Sequence, residues 1–339
     1  MNPTATQKLA TFTILLGLCV ILGIFILASL YIGARSWVDL PGFHEFMEAL
    51  AAAPNHPDQS LLASVINSRI PRTINAILAG AGLALAGTAI QGLTRNPLAD
   101  PGLLGINYGA ALCVVLGFLI GIPASLAAII GALLTSALVY ALSRRQSMVG
   151  MVLVGAAVSS GASALISALV LRRNDTLDDF RTWQIGGLSR STVTEALHLS
   201  PLFLVGFIVL LASARGLDIL ALGEDMAASL GINLNRYRIA IITAITLLCA
   251  GSVALVGPLG FVGLIVPHMV RALLVRFTGV RHTILVPAAA LSGASLVLFC
   301  DIIGRILTPP AEIPVGLSLA VIGVPLFLFQ LNNARGIRR

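Results

Sequence analysis

The feature that most constrains this chain is a series of apolar runs, recurring from near its start to its end and separated by short charged segments. A hydrocarbon core ~30 Å thick is crossed by roughly 20 helical residues. Ten candidate spans can be drawn: Thr11 to Ile32, Thr73 to Leu93, Leu103 to Ile120, Ile122 to Leu142, Ser147 to Leu171, Ser200 to Ala214, Ile239 to Val256, Phe261 to Val275, Thr283 to Ile306 and Val315 to Leu331. With 57% of its 339 residues hydrophobic and 10% charged, the chain lies far from the makeup of a soluble domain. The expected fold is an all-α polytopic membrane protein of about ten transmembrane helices. It forms one domain over residues 1–339, and no separate soluble domain fits.

The first run is longer than the ~7 to 15 residues of a signal-peptide core, and no small-residue cleavage site follows it, so it is read as a retained helix. Gly121 alone separates the third and fourth spans, which demands a tight turn at Gly-Ile-Pro. The sixth and eighth are short for a full crossing, a pattern that goes with tilted or broken helices and water-lined paths. Cys19, Cys113, Cys249 and Cys300 all lie in apolar spans without C-x-x-C or histidine spacing, so they read as buried free thiols rather than metal ligands or disulfides.

The net charge of +7 arises from 20 Arg and one Lys against 14 acids, and in a membrane protein such an excess records topology rather than nucleic-acid binding. With ten spans and both termini cytoplasmic, 13 basic residues fall inside and eight outside: Arg35, Arg69, Arg72, Arg172, Arg173, Arg181, Arg190 and Arg305. The bias supports this orientation, but eight outer arginines need an explanation. Arg69 and Arg72 stand at the mouth of a long apolar run, in SRIPRT, where interfacial snorkelling is the bland reading.

The stretches LAGAGLALAG, Leu78 to Gly87, and VGAAVSSGASA, Val154 to Ala164, repeat small residues at helical spacing, which lets helices approach closely in lipid. His268 follows Pro267 in VPHMVR and reads as a structural hydrogen-bonding group, while Trp183 reads as an interfacial aromatic anchor. Asn96, Asp100 and Pro101 are expected to shape an inner turn.

No catalytic motif is present. G-x-S-x-G, H-E-x-x-H and the Walker A lysine motif are all missing, and Lys8 is the only lysine. An ion-coupled carrier is expected to hold Asp, Glu or His in mid-span. Here the acids fall in loops or near span ends, Asp301 and Glu312 included, which favours a conduit worked by a partner over a secondary transporter. The loop Asp218 to Arg238 contains a short helical pattern, in which Leu222, Met226, Ser229 and Leu230 share a face and Gly231 stops the helix. Such a helix either sits in a groove of a soluble partner or lies on the headgroups.

Five ordered motifs carry a family resemblance: RNPLADPGLLG, Arg95 to Gly105; LALGEDMAASLGINLNRYR, Leu220 to Arg238; GFVGLIVPHMVR, Gly260 to Arg271; DIIGR, Asp301 to Arg305; and AEIPVG, Ala311 to Gly316. Together they resemble the permease subunits of type II ABC importers for iron-siderophores, haem and vitamin B12. The resemblance implies an inner-membrane transport subunit, not an enzyme, with no cofactor of its own. A second permease subunit would complete the path, two cytoplasmic ATPase subunits would bind ATP and magnesium, and a periplasmic binding protein would deliver a ferric-siderophore. Coupling to the ATPase is implied for Gly223, Glu224, Ala228, Leu230 and Gly231, alongside Leu222 and Ser229 of the same segment. Docking of the delivery protein's carboxylates is implied for Arg69, Arg72 and Arg305. By position in the family, Ser147, Met148 and Val149 form a candidate apolar gate. Vitamin B12 or haem remains an alternative cargo, and a membrane receptor subunit without transport of its own is a further rival.

Overall fold

The computed structural model describes residues 5–32, 42–53, 60–143, 148–171, 174–190, 192–231, 233–308 and 311–336, and its regular elements there are all helical. In chain order they are α1 (Ala5–Tyr31), α2 (Phe43–Ala52), α3 (Leu61–Thr94), a 3-10 turn (Pro101–Leu104), α4 (Ile106–Ile120), α5 (Ala124–Ser143), α6 (Met148–Val170), α7 (Asn174–Ile185), α8 (Val193–Leu220), α9 (Glu224–Ser229), α10 (Leu234–Val256), α11 (Val262–Phe277), α12 (His282–Ile306) and α13 (Val315–Gly336). Each of the ten expected spans falls on one of these helices. Seven of them, α1, α3, α5, α6, α8, α10 and α12, have the length and composition to cross a membrane; α4 and the apolar part of α13 are shorter.

The 34-residue α3 is the axis of the bundle and packs against α8, α10, α11 and α12. It begins twelve residues before the expected span, because Ser60 caps it by accepting from the Ala63 N–H at 3.0 Å. It ends where Arg95 adopts a left-handed conformation, φ 53°. Close approach is written into its small residues. A Cβ on Gly80 would strike the Gly293 carbonyl of α12, and one on Gly87 would strike the Gly263 carbonyl of α11. Backbone cannot yield as a flexible side chain can, so Gly87→Ala is expected to cost at least ~1 to 3 kcal/mol. The thermal midpoint of the solubilised protein checks this. Gly17→Ala, where an added Cβ meets nothing within 4 Å, is the unaffected control.

Two further span boundaries are corrected. The sixth is not short: α8 runs over 28 residues from a cap in which the Thr192 hydroxyl accepts from the Glu195 N–H at 3.1 Å. That T-x-x-E signature lies upstream of the apolar run Ser200 to Ala214. The third begins at Ile106 rather than Leu103, because the chain leaving α3 folds back into the bundle. There Asp100 caps the 3-10 turn by accepting from the Gly102 N–H at 2.7 Å, and Ala99, Pro101 and Leu104 are buried. Pro101 lies against Gly263. Irregular backbone of this kind is tolerated at membrane depth when protein covers it. The Gly121 turn follows expectation, with φ 78° and the Ile122 N–H reaching back to the Gly117 carbonyl.

Between α1 and α3 lies α2, whose Phe46 and Ala49 pack on Leu30, Ala63 and Ile66; residues 61–70 of the expected outer loop, about residues 33–70, are the start of α3. Trp183 on α7 stacks on Phe180 with ring centroids 6.2 Å apart. Cys249 and Cys300 are buried free thiols, as expected, whereas Cys113 is half-buried and Cys19 is exposed on α1.

Candidate functional site

Helices α3 and α12 run antiparallel and define two ends of the bundle. Arg72 meets Asp301 at one, and Gly92 lies against His282 at the other.

At the first end, the DIIGR sequence places Asp301 and Arg305 four residues apart on one face of α12, and they pair at 2.9 Å. Arg72 reaches across from α3 as a fork: its Nε and Nη2 donate to Asp301 Oδ1 at 2.9 and 2.7 Å, and its Nη1 donates to Glu312. Two guanidinium groups thus face two carboxylates. Asp301 and Arg305 are 0% and 1% exposed, so each depends on the other for compensation of its charge. Arg305 also donates to the Ser29 and Ile32 carbonyls at 2.9 and 3.1 Å, and Arg69 donates to those of Leu30 and Tyr31 at 2.7 and 3.1 Å. These belong to the last turn of α1 and the residue after it, where helix carbonyls lack intrahelical donors and favour cations.

The picture of three arginines facing outward is corrected for Arg305, which is turned into the bundle to hold α1 and Asp301. The Arg72 side chain is 12% exposed and reaches the surface on its Glu312 side. Asp301 and Glu312, which sequence reasoning left without a role, are the groups these arginines bind. The signal was the charge pair within DIIGR.

At the opposite end, α9 is a six-residue helix between α8 and α10. Gly223 opens it at φ 121°, a conformation open chiefly to glycine, and Gly231 closes it at φ 81°, the expected stop. Ser229 turns its hydroxyl to the Met226 carbonyl at 2.8 Å, while Ala227 is the buried anchor. Leu222 (70% exposed), Met226 and Leu230 (59%) project outward with Ala228. Leu222 lies in the turn before the helix rather than on it. The placement of Glu224 is helical.

Near this end, Pro267 removes the N–H that would bond the Gly263 carbonyl four residues back. His268 was expected to answer such a loss, but the buried Gln91 of α3 does so. Its Nε2 donates to the Gly263 and Leu264 carbonyls at 3.2 and 3.3 Å, and its Oε1 accepts from Arg271 Nη1 at 2.6 Å.

Of the candidate gate, Ser147 lies outside the described residues. Met148 packs against the core at the start of α6, and Val149 is 70% exposed. Along α6, Ala156, Ser160, Gly161 and Ala164 lie exposed on a face of small residues.

Residues 18–333 match the family model of the FecCD transport family. The chain belongs to this family. It is 39% identical over 327 residues to the ferric enterobactin transport system permease protein FepD of Escherichia coli K12, covering 94% of both chains. It is 38% identical over 284 residues to the hemin transport system permease protein HmuU of Yersinia pestis, covering 80% of this chain and 83% of that one. Its fold matches a metal-chelate type ABC transporter in an inward-facing conformation with a TM-score of 0.81 at 31% identity, over 95% of this chain and 99% of the other. The FecCD chain described here is therefore a transport permease subunit, with the all-helical fold of a type II ABC permease.

Proposed function

We propose that this FecCD chain carries a ferric-siderophore across the bacterial inner membrane as a single permease domain, paired with a second permease subunit and driven by two separate ATPase subunits that bind ATP and magnesium. The observation that carries the cargo assignment is the extent of likeness to the ferric enterobactin permease, 94% of both chains against 80% of this chain for the hemin permease. The test is uptake of labelled ferric enterobactin, hemin and cobalamin in cells lacking this gene and in complemented cells. Selective loss of ferric-siderophore uptake is expected, and selective loss of hemin uptake would move the assignment.

Both termini lie in the cytoplasm in this reading, which puts α9 there as the coupling element, with Leu222, Gly223, Glu224, Ala228, Ser229, Leu230 and Gly231 meeting the ATPase. Its uncovered Leu222, Met226 and Leu230 supply the apolar contact a groove requires. The exposed small-residue face of α6 supports a path between the two permease subunits, with Ser147, Met148 and Val149 at its inner end as the gate.

At the outer end, carboxylates of the periplasmic delivery protein approach Arg69 and Arg72, competing with Glu312 for the exposed side of Arg72. Arg305 holds the arrangement from beneath. Glu312→Gln should then bare Arg72 and tighten docking. An exposed pair is worth ~0 to 1 kcal/mol, so the gain is up to about fivefold, fading as salt screens it. Titration of the delivery protein at low and high ionic strength checks this, and unchanged affinity at low salt would remove Arg72 from the docking face.

A further inference from the structure

A cleft of about 700 Å³ opens at the α9 end of the bundle, where the last turns of α3 and α8, the body of α11 and the start of α12 converge. Its lining includes Arg95, Arg271, Arg281 and His282, with Asp218 as the carboxylate among them. Three guanidinium groups and one carboxylate thus share its lining.

Among the described residues Arg271 meets no carboxylate there, and His282, though paired with Asp218, keeps its second ring nitrogen unbonded. Arg271 hydrogen-bonds the neutral amide of Gln91, in contrast to Arg72 and Arg305, which meet carboxylates. His282 is 7% exposed and its Nδ1 donates to Asp218 Oδ1 at 2.6 Å, but its buried Nε2 has no partner. That nitrogen faces Gly92 across the cleft wall, where a Cβ would come within 2.9 Å of it. At the start of α12 the His282 backbone N–H also goes to Asp218, at 2.9 Å. A buried polar atom left unpaired is costly, and a convergence of planar guanidinium forks suits a tetrahedral oxyanion with several acceptors.

We infer that this cleft binds a phosphate group, held by Arg271 and His282 with Arg95 and Arg281 at the rim. In a chain that spans the membrane the phosphate has two sources: the headgroup of an anionic phospholipid, which basic pockets at helix ends attract, or free phosphate from the aqueous side. The inference needs neither the cargo assignment nor the sidedness proposed above.

The full-length chain is purified into nanodiscs of phosphatidylcholine with or without phosphatidylglycerol. Native mass spectrometry counts retained lipids, and equilibrium dialysis measures labelled orthophosphate bound in the phosphatidylcholine discs. Selective retention of phosphatidylglycerol, weakened about tenfold or more in Arg271→Gln/Arg281→Gln, is the expected result and assigns the lipid source. Saturable orthophosphate binding with the same dependence on these arginines, and no lipid selectivity, upholds the site and assigns the free anion. Because Arg271→Gln also disturbs Gln91, Arg281→Gln alone is run in parallel, lying outside the helices, with a loss of threefold or more expected. Neither probe bound by the wild type, or binding unmoved by Arg281→Gln, would overturn the inference.

Discussion

Asp301→Asn should be the most damaging single substitution at the Arg72 end of the bundle, lowering stability by ~3 to 5 kcal/mol, the usual result of removing one member of a buried ion pair. Asp301 is fully buried and receives Arg72 at 2.7 Å and Arg305 at 2.9 Å, so an amide there leaves two guanidinium groups facing each other. The damage spreads through Arg305, which also holds the Ser29 and Ile32 carbonyls and thereby fixes α1 to α12. Loss of detergent-solubilised protein as a single peak on gel filtration, with a much lower thermal midpoint, is the measurement. Glu312→Gln sits at the half-exposed arm of the same network and should leave the midpoint nearly unchanged. An Asp301→Asn protein as stable as the wild type would mean that the network contributes little.

Leu230→Asp should abolish transport while leaving the permease folded. Leu230 is 59% exposed, so the fold tolerates the change within about 0.5 kcal/mol, as surface substitutions usually are. In a coupling contact the same residue enters an apolar groove, and a carboxylate carried there costs several kcal/mol. Since each ~1.4 kcal/mol is tenfold in affinity, ATPase attachment should weaken by more than tenfold. The expected signature is normal membrane accumulation, loss of uptake, and ATP hydrolysis that no longer responds to the delivery protein. Normal uptake in this variant would separate α9 from the drive and favour a helix resting on headgroups.

The sequence made the helices legible where apolar character was continuous, and all ten expected spans coincide with helices. Their ends were harder to place. Polar residues such as Thr192, Glu195 and His198 extend α8 well past its apolar centre, and hydropathy gives such residues no weight, whereas the capping pattern does. The turn after α3 was legible at Asp100 and Pro101, but its burial in the bundle was not, for a different reason. Its buried backbone is sheltered by Gly263 of α11, a contact more than 150 residues away in the chain.

At the site, positions were read better than directions. Arg69, Arg72 and Arg305 were singled out and do cluster, but a sequence does not state whether a guanidinium faces outward or pairs inward. That is decided by Asp301 and Glu312, which three-dimensional folding brings to them. Gln91 carried no signal at all, because its task is set by the proline of another helix. The α9 segment was the most legible, since glycine at both ends and apolar residues between them encode its shape locally.

The account rests on this subunit moving a ferric-siderophore by ATP-driven rocking of a paired permease, and reconstitution tests that most directly. The permease pair with its ATPases is placed in proteoliposomes with ATP on the α9 side and the loaded delivery protein on the other, and vesicle-associated labelled iron is counted over time. The account predicts accumulation that requires ATP, is lost with Leu230→Asp, and survives collapse of ion gradients. Accumulation that proceeds without ATP and fails when the gradients collapse would contradict it.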